Sequence, residues 1–252
     1  MASKINSIQS LVVPGGVMSS SWLEKNLVSR TEQVQYVRSG WLTRMATGIY
    51  HFSNSEPTLF GALSSCGNQT GLSYRIAAST ALEMQGYTHY ISMGKPQAYI
   101  NTPSEHRLPK WILEYNWDMD IREFSTKVFA GNIGIDQVES DGASLSVSTP
   151  ELAIMECILL SPEKYNLMDV YHLMEMLTTL RAGVVSKLLE QCTSVKIKRL
   201  FLYMAEKSKH SWFKRLDLSN VTLGHGPRSF SKGGVKIAKY NIVVPKELAD
   251  YE

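Results

Sequence analysis

Residues 18–52 constrain the fold more than any other part of the chain, because they contain signals for two helices in close succession. Three serines at 19–21 can begin a short first helix, which a break of three residues ends. Ser29, with Glu32 three positions later, has the pattern of a capping box and begins a second helix. Gly40 is typical of the left-handed residue that follows a helix end. The segment therefore predicts two helices joined by a tight turn.

A β-hairpin is predicted after the second helix. Residues 41–45 and 48–52 alternate apolar and polar side chains, and Ala46 and Thr47 join them. In winged helix-turn-helix proteins the second helix enters the major groove of DNA, and the wing can touch the backbone beside it. We therefore predict a winged helix-turn-helix DNA-binding domain at residues 1–53. An ordinary amphipathic helix followed by a hairpin would give the same pattern.

The side chains of the second helix suit DNA recognition. Thr31, Val34 and Val37 are expected to share the face that packs inward. Arginine can bind guanine and glutamine can bind adenine through paired hydrogen bonds, and helix N-termini attract phosphate. The predicted DNA contacts are Ser29, Arg30, Gln33, Gln35, Tyr36 and Arg38 in the helix, with Arg44 and Thr47 in the wing.

The net charge of +3 is distributed unevenly along the chain. Residues 181–252 contain 14 Lys and Arg against 6 Asp and Glu, a balance of +8, whereas residues 1–180 have a balance of −5. Within the latter, residues 1–52 have a balance of +3. Two basic ends suit a polyanion such as nucleic acid, or an acidic protein partner.

Cysteine usage and hydropathy indicate a cytoplasmic protein. Cys66, Cys157 and Cys192 are isolated and odd in number, which favours buried thiols in a reducing compartment over a disulfide or zinc framework. No apolar run is long enough to span a membrane, and the first residues lack a signal-peptide pattern. We expect no metal, no cofactor and no membrane partner.

The rest of the chain predicts an α+β fold. After the winged helix we expect a central α/β part at 54–148, then a helical, bundle-like part with C-terminal strands at 149–252. Thr149, Pro150 and Glu151 begin a strong helix that continues to Leu160. Further helices are predicted at 4–11, 59–66, 73–85, 170–180, 184–192 and 195–207. Strands are predicted at 97–100, 124–129, 145–147, 215–218, 221–223 and 236–244.

The order of these segments resembles the AbiEi antitoxins, one half of an abortive-infection toxin–antitoxin pair of type IV. The N-terminal match is VSRTEQVQYVRSGWLTRMATGIY, and the middle carries RIAASTALEMQGYTHY, QAYI and RLPKW. The C-terminal match comprises STPELAIMECILL, LMEMLTTLRAGVVSKLLEQCTSVKIKRLFLYMAE and FKRLDLSNVTLGHGPRSFSKGGVKIAKYNIVVPKEL. No single segment is a specific motif; the resemblance lies in their shared order over nearly the full length.

The resemblance implies a repressor of its own operon that binds inverted repeats in promoter DNA, with dimerisation on DNA left open. It also implies that the rest of the chain neutralises a nucleotidyltransferase toxin, directly or indirectly. The basic C-terminal side chains would then serve the antitoxic function, by binding the toxin's nucleic-acid substrate or an acidic face of the toxin. They are Lys196, Lys198, Arg199, Lys207, Lys209, Lys214, Arg215, Lys232, Lys236 and Lys239. For any single lysine, a solvated helix face is an equally good interpretation.

Catalysis is not expected. Arg75, Glu83 and His89 lie near one another in sequence, but a structural ion pair explains them better than an active site. The chain has no P-loop, no kinase motifs and no paired Cys and His spacing. The alternative is an enzyme that acts on the toxin or on a nucleic acid and is targeted by the winged helix.

Overall fold

The computed structural model describes residues 2–87, 94–140 and 142–251, which form two compact units. The first unit comprises described residues within Met1–Arg75, Gly94–Ser125 and Gln137–Ser146, and the second those within Ile76–Met93, Thr126–Asp136 and Val147–Glu252. Both units contain helices and strands, and the α+β class is confirmed. The division at residues 53 and 148 stays a prediction.

The N-terminal part of the first unit has the predicted order of helix, turn, helix and wing. Its elements are α1 (Ala2–Gln9), β1 (Met18–Ser19), α2 (Ser20–Lys25), α3 (Arg30–Arg38), β2 (Leu42–Ala46) and β3 (Ile49–Phe52). β3 pairs antiparallel with β2 in the wing and with β1 on its other side, so the sheet has the order β1-β3-β2. The short strand β1 was not predicted, because two residues are too few to show an alternating pattern.

A small apolar core holds these elements together. It comprises Ile5, Ile8, Met18, Leu23, Val28, Tyr36, Leu42 and Phe52. Burial of side chains from all three helices and all three strands makes the core the main stabilising contribution to this part of the unit. The predicted continuation of α1 to Leu11 is wrong, since the helix ends at Gln9 and Leu11 is 59% exposed.

A five-stranded sheet has the order β6-β5-β4-β8-β7. The strands are β4 (Arg75–Ile76), β5 (Gln97–Asn101), β6 (Asp120–Phe124), β7 (Ile135–Ser140) and β8 (Ala143–Ser148); α4 (Leu59–Thr70), α5 (Ala78–Met84) and α6 (Lys110–Glu114) lie between them in sequence. The strand predicted at 124–129 lies instead at Asp120–Phe124, parallel to β5. The helix predicted at 73–85 begins only at Ala78.

Helix α7 (Pro150–Leu160) lies at the centre of the second unit. It packs against α5, α8 (Leu167–Met176), α9 (Ala182–Gln191) and α10 (Val195–Lys207). Every residue from Glu151 to Ile158 is buried, as expected of a helix with neighbours on all sides. The predicted start at Pro150 and the predicted bounds of α10 are confirmed.

The C-terminal part of the second unit contains less strand than predicted. A 3₁₀ turn (Ser211–Arg215) precedes β9 (Arg228–Ser229), β10 (Val235–Ile237), β11 (Ile242–Val244) and α11 (Lys246–Asp250). The predicted strands at 215–218 and 221–223 are not formed. The one predicted at 236–244 is two strands, because a 3₁₀ turn and the positive φ of Asn241 reverse the chain between them.

Candidate nucleic-acid interface

The start of α3 is fixed by the predicted capping box. The backbone N–H of Ser29 donates to Glu32 Oε2 at 2.8 Å, and the N–H of Glu32 donates to Ser29 Oγ at 3.3 Å. Lys4 Nζ on α1 donates to Glu32 Oε1 at 2.8 Å. The hydrogen bonds from Lys4 and then from Ser29 lower the pKa of Glu32 to about 2. Ser29 thus bonds within its own helix start, and its predicted contact with a DNA phosphate stays a prediction.

Gln33 is buried, so its predicted role in reading bases is wrong. It is 1% exposed, and its amide lies between the two helices of the helix-turn-helix. Ser20 Oγ donates to Gln33 Oε1 at 2.7 Å. Gln33 Nε2 donates to the carbonyls of Ser20 at 3.2 Å and Val28 at 3.1 Å. Gln33 therefore sets the angle of α3 against α2 and cannot reach a base edge.

The predicted DNA contact by Tyr36 is also wrong. Tyr36 is 3% exposed and belongs to the apolar core. The inward face of α3 carries Gln33, Tyr36 and the half-buried Val37, whereas Thr31 and Val34 face outward. The polarity pattern was misleading here, because a glutamine occupies an inward position and a valine an outward one.

The exposed side chains of α3 define its outward face, which consists of Arg30, Thr31, Val34, Gln35 and Arg38. These positions follow the three- and four-residue spacing of one helical stripe. Helical spacing could have identified Thr31 and Val34 as outward-facing, because Thr31 lies four residues before Gln35 and Val34 lies four residues after Arg30. Arg30 Nε forms an exposed ion pair with Glu24 Oε1 at 3.0 Å.

The wing leaves its two predicted contact residues exposed. Arg44 lies on β2, and its Nε donates to the Ala46 carbonyl at 3.2 Å. Thr47 occupies the turn, next to Gly48 with its positive φ of 71°. The N–H of Ser20 donates to the Gly48 carbonyl at 2.7 Å, which ties the wing turn to the start of α2.

Three of the predicted antitoxic side chains point into the second unit and have structural roles instead. Lys196 Nζ donates to the carbonyls of Leu159 and Ser161, and burial lowers its pKa. Lys198 Nζ donates to the Thr222 carbonyl at 3.2 Å. Arg199 is 2% exposed and donates to four carbonyls: Leu223 at 2.8 Å, Gly226 at 2.6 Å, Gly224 at 3.0 Å and Asn241 at 3.1 Å. Assigning them to a solvent-facing basic surface is wrong, because their charged groups bond to the chain's own backbone.

Other C-terminal cations either bond within the chain or have exposed side chains. Lys207 Nζ donates to the carbonyls of Ala249 and Tyr251, and Lys239 pairs with Glu206. An exposed set remains: Lys209, Lys214, Arg215, Lys232 and Lys236, joined by Arg228, which sequence reasoning missed. Residues 218–246 contain five Lys or Arg and no Asp or Glu, a signal that would have included Arg228.

Family models match the chain in two adjoining segments. One, described as the N-terminal domain of AbiEi antitoxin transcriptional regulators, matches residues 1–93. The other, described as the AbiEi antitoxin transcriptional regulator of type IV toxin–antitoxin systems, matches residues 95–245. The chain belongs to the AbiEi antitoxin family. The family resemblance of the sequence is thereby confirmed.

A solved structure shares the fold of this AbiEi-family chain. It is the crystal structure of the RV2827C protein from Mycobacterium tuberculosis. The likeness covers 90% of this chain and 86% of that one, with a TM-score of 0.60 and 14% sequence identity. At this identity the likeness shows the fold alone. No curated protein matches the sequence.

The carboxylates of this AbiEi-family chain that are most deeply buried have structural partners. Glu151 on α7 accepts three hydrogen bonds from Arg181, two of them from the guanidinium, and Glu156 accepts the N–H of Ala78 at 3.0 Å. Burial raises the pKa of Glu83, and His89 lies outside the described residues. Within 2–87, 94–140 and 142–251, no cluster of three metal-ligating side chains occurs and no helix is long and apolar enough to cross a membrane.

Proposed function

We propose that this AbiEi-family regulator represses its own operon by binding inverted repeats in the promoter through the winged helix. The observation that carries the proposal is the outward face of α3, which presents Arg30, Gln35 and Arg38 from a helix locked to its neighbours. Arginine and glutamine are the side chains that read guanine and adenine in the major groove. Arg44 and Thr47 in the wing, and Ser29 at the helix start, would contact the phosphate backbone.

Inverted repeats imply two copies of the protein on one operator. Each copy would place its α3 in one half-site, so binding is expected in two steps or as a cooperative pair. We therefore propose that the protein dimerises on DNA.

A mobility-shift titration with the promoter DNA tests the proposal. Arg38→Ala should weaken binding to the promoter by about 1–3 kcal/mol and relax its sequence preference. Arg44→Ala should weaken binding to promoter and random DNA alike and reduce the salt slope by about one. Lys187→Ala is the matched control, because Lys187 is an exposed lysine on α9, and it should bind as the wild type does. Equal affinity of the wild type for promoter and random DNA would refute the repressor proposal.

We propose further that the second unit neutralises a nucleotidyltransferase toxin and that it does so without catalysis of its own. The exposed cations Lys214, Arg215, Arg228, Lys232 and Lys236 support a polyanionic or acidic target. Because promoter DNA and such a toxin are cytoplasmic, we propose the same location for this protein.

Growth rescue in cells that express the toxin tests this second role. Lys232→Glu with Lys236→Glu should abolish rescue and leave promoter repression intact, whereas Arg38→Ala should do the reverse. Loss of rescue in the Arg38→Ala variant would contradict separate roles. Mass spectrometry of the toxin after incubation with this protein and ATP or GTP addresses the enzyme alternative, and a covalent mass increase would establish it.

A further inference from the structure

An apolar side chain lies in the middle of the polar outward face of α3. Within α3, all of whose residues the structure describes, Val34 is 48% exposed, while Gln33 and Tyr36 on the opposite face are buried. Arg30 lies one helical turn before it and Arg38 one turn after it. Thr31 and Gln35 flank it on the same face.

The position matters because exposure of valine to water has a free-energy cost that a polar residue would avoid. Val34 is exposed and does not belong to the apolar core of this unit, so it does not stabilise that core. Its branched side chain also lowers helix propensity slightly. Both observations favour a role for Val34 at a surface that is covered in the bound state.

Thymine offers the matching chemistry. Its C5-methyl group is the apolar feature that the major groove presents, and small apolar side chains contact it in direct readout. At a rise of about 1.5 Å per residue, Arg30 and Arg38 lie about 6 Å along the helix on either side of Val34. That distance corresponds to roughly two base pairs at about 3.4 Å each, so the arginines would contact positions beside the thymine rather than the thymine itself.

We propose that Val34 is a specificity-determining residue that selects a thymine in each half-site by contacting its C5-methyl group. The inference rests on the proposed function, since it requires α3 to enter the major groove. Thr31 lies three residues before Val34, and its own methyl group extends the apolar contact. A second copy of the chain packing on Val34 is the competing occupant, and the experiment separates the two.

The experiment is a thymine-to-deoxyuridine scan of the promoter repeats, which removes one methyl group at a time and keeps every base-pair hydrogen bond. For the wild type we expect one thymine position, equivalent in the two half-sites, at which the substitution weakens binding about three- to tenfold. This is the effect of one buried methyl group or a little more. Val34→Ala should lose a similar factor on unmodified DNA and should not respond to deoxyuridine at that position. Leu113→Ala is the matched control, because Leu113 is an exposed apolar residue on α6, and it should keep the methyl dependence.

Each other outcome overturns the inference in a recognisable way. Binding that prefers the promoter but ignores every deoxyuridine substitution overturns the role of Val34 and leaves the repressor proposal standing. Methyl dependence that persists unchanged in Val34→Ala assigns the contact to another residue. A change in the sedimentation of the free protein by Val34→Ala, with methyl dependence kept, assigns Val34 to a protein contact. No preference for the promoter overturns the inference and the proposed function together. Because Val34 is exposed, an unchanged melting temperature verifies that the variant is folded.

Discussion

Three hydrogen bonds hold the Gln33 side chain between α2, the turn and α3. Both ends of the amide are used, so the group is buried without an unpaired donor or acceptor. A leucine at this position would fill the space but would leave the Ser20 and Val28 carbonyls without this donor. The hydrogen bonds of Gln33 thus fix the geometry of the turn, whereas an apolar residue would only occupy the space between the helices.

Gln33→Ala should lower the free energy of unfolding by about 2 kcal/mol, because it leaves a small cavity and deprives the buried Val28 carbonyl and the half-buried Ser20 carbonyl of this donor. Chemical denaturation followed by circular dichroism measures this. DNA affinity at a temperature where the variant is fully folded should fall more on promoter than on random DNA, because α3 presents the proposed base-reading side chains and loses its fixed orientation. A selective loss at adenine positions, with stability unchanged, would restore Gln33 as a base reader.

Arg30 forms an ion pair with Glu24, whose carboxylate is negatively charged, as DNA is. Its Nε lies 3.0 Å from Glu24 Oε1, and the Arg30 side chain is 81% exposed. An exposed pair of this kind contributes little to stability. We expect the pair to affect DNA affinity more than stability, because Glu24 brings negative charge to the surface where phosphates would approach.

Glu24→Gln is therefore expected to raise affinity for DNA about two- to fivefold, with the gain diminishing as salt is increased. Fluorescence anisotropy at several salt concentrations measures the effect. Glu114→Gln, on α6, provides a control of equal charge change. An equal gain in the control would attribute the effect to net charge, and no gain in Glu24→Gln would show that the pair does not restrain Arg30.

At the scale of elements, the capping box of α3 makes this helix sensitive to acid. The pKa of Glu32 is lowered to about 2, so its charged form is favoured by folding. Its stabilisation is complete above its ordinary value of 4.5 and is lost as the pH falls towards 2. Glu32→Gln should thus be less stable than the wild type at pH 6, and the difference should shrink between pH 4.5 and 2. Thermal melting across that range measures it, and a difference that stays constant with pH would exclude the carboxylate as its origin.

Elements whose boundaries depend on neighbouring residues were predictable from the sequence. Ser29 with Glu32, and Pro150, mark helix starts by local chemistry, and the structure places the helices there. The start of α5 at Ala78 was not predictable, because the carboxylate that accepts its N–H belongs to Glu156, far along the chain. Ala78 has a positive φ of 50°, a strained conformation for alanine that its local sequence does not indicate.

The candidate site was predictable in kind but not in its individual residues. The sequence pattern located α3 and the wing. The rotation of α3 follows from burial, which residue polarity predicted wrongly at Gln33 and Val34. The same limit applies in the second unit, where lysines and arginines of α10 resemble a basic surface until their bonding partners are known. In both cases residue type predicts the available chemistry, and tertiary packing decides which groups face solvent.

At the scale of the whole molecule, the cations of the second unit divide into an internal and an external group. Arg199 is the centre of the internal group, because its guanidinium joins the loop at 223–226 to the turn that precedes β11. Four carbonyls share one positive charge there, an arrangement suited to the five donors of a planar guanidinium. The external group includes Lys232 and Lys236, whose side chains are exposed, and we propose that it serves recognition.

This division predicts opposite effects for two sets of variants. Arg199→Ala should lower the free energy of unfolding by about 3 kcal/mol, because it removes a buried side chain and leaves four carbonyls without their charged donor. Any loss of toxin neutralisation should follow from that instability. Arg199→Lys should recover only part of the stability, since one ammonium cannot reach four carbonyls in different directions. Lys232→Ala with Lys236→Ala should melt as the wild type does and yet lose neutralisation. Differential scanning calorimetry and growth rescue, measured on the same variants, test the division. Unchanged stability in Arg199→Ala, or a lowered melting temperature in the double lysine variant, would show that internal and external cations have been assigned to the wrong roles.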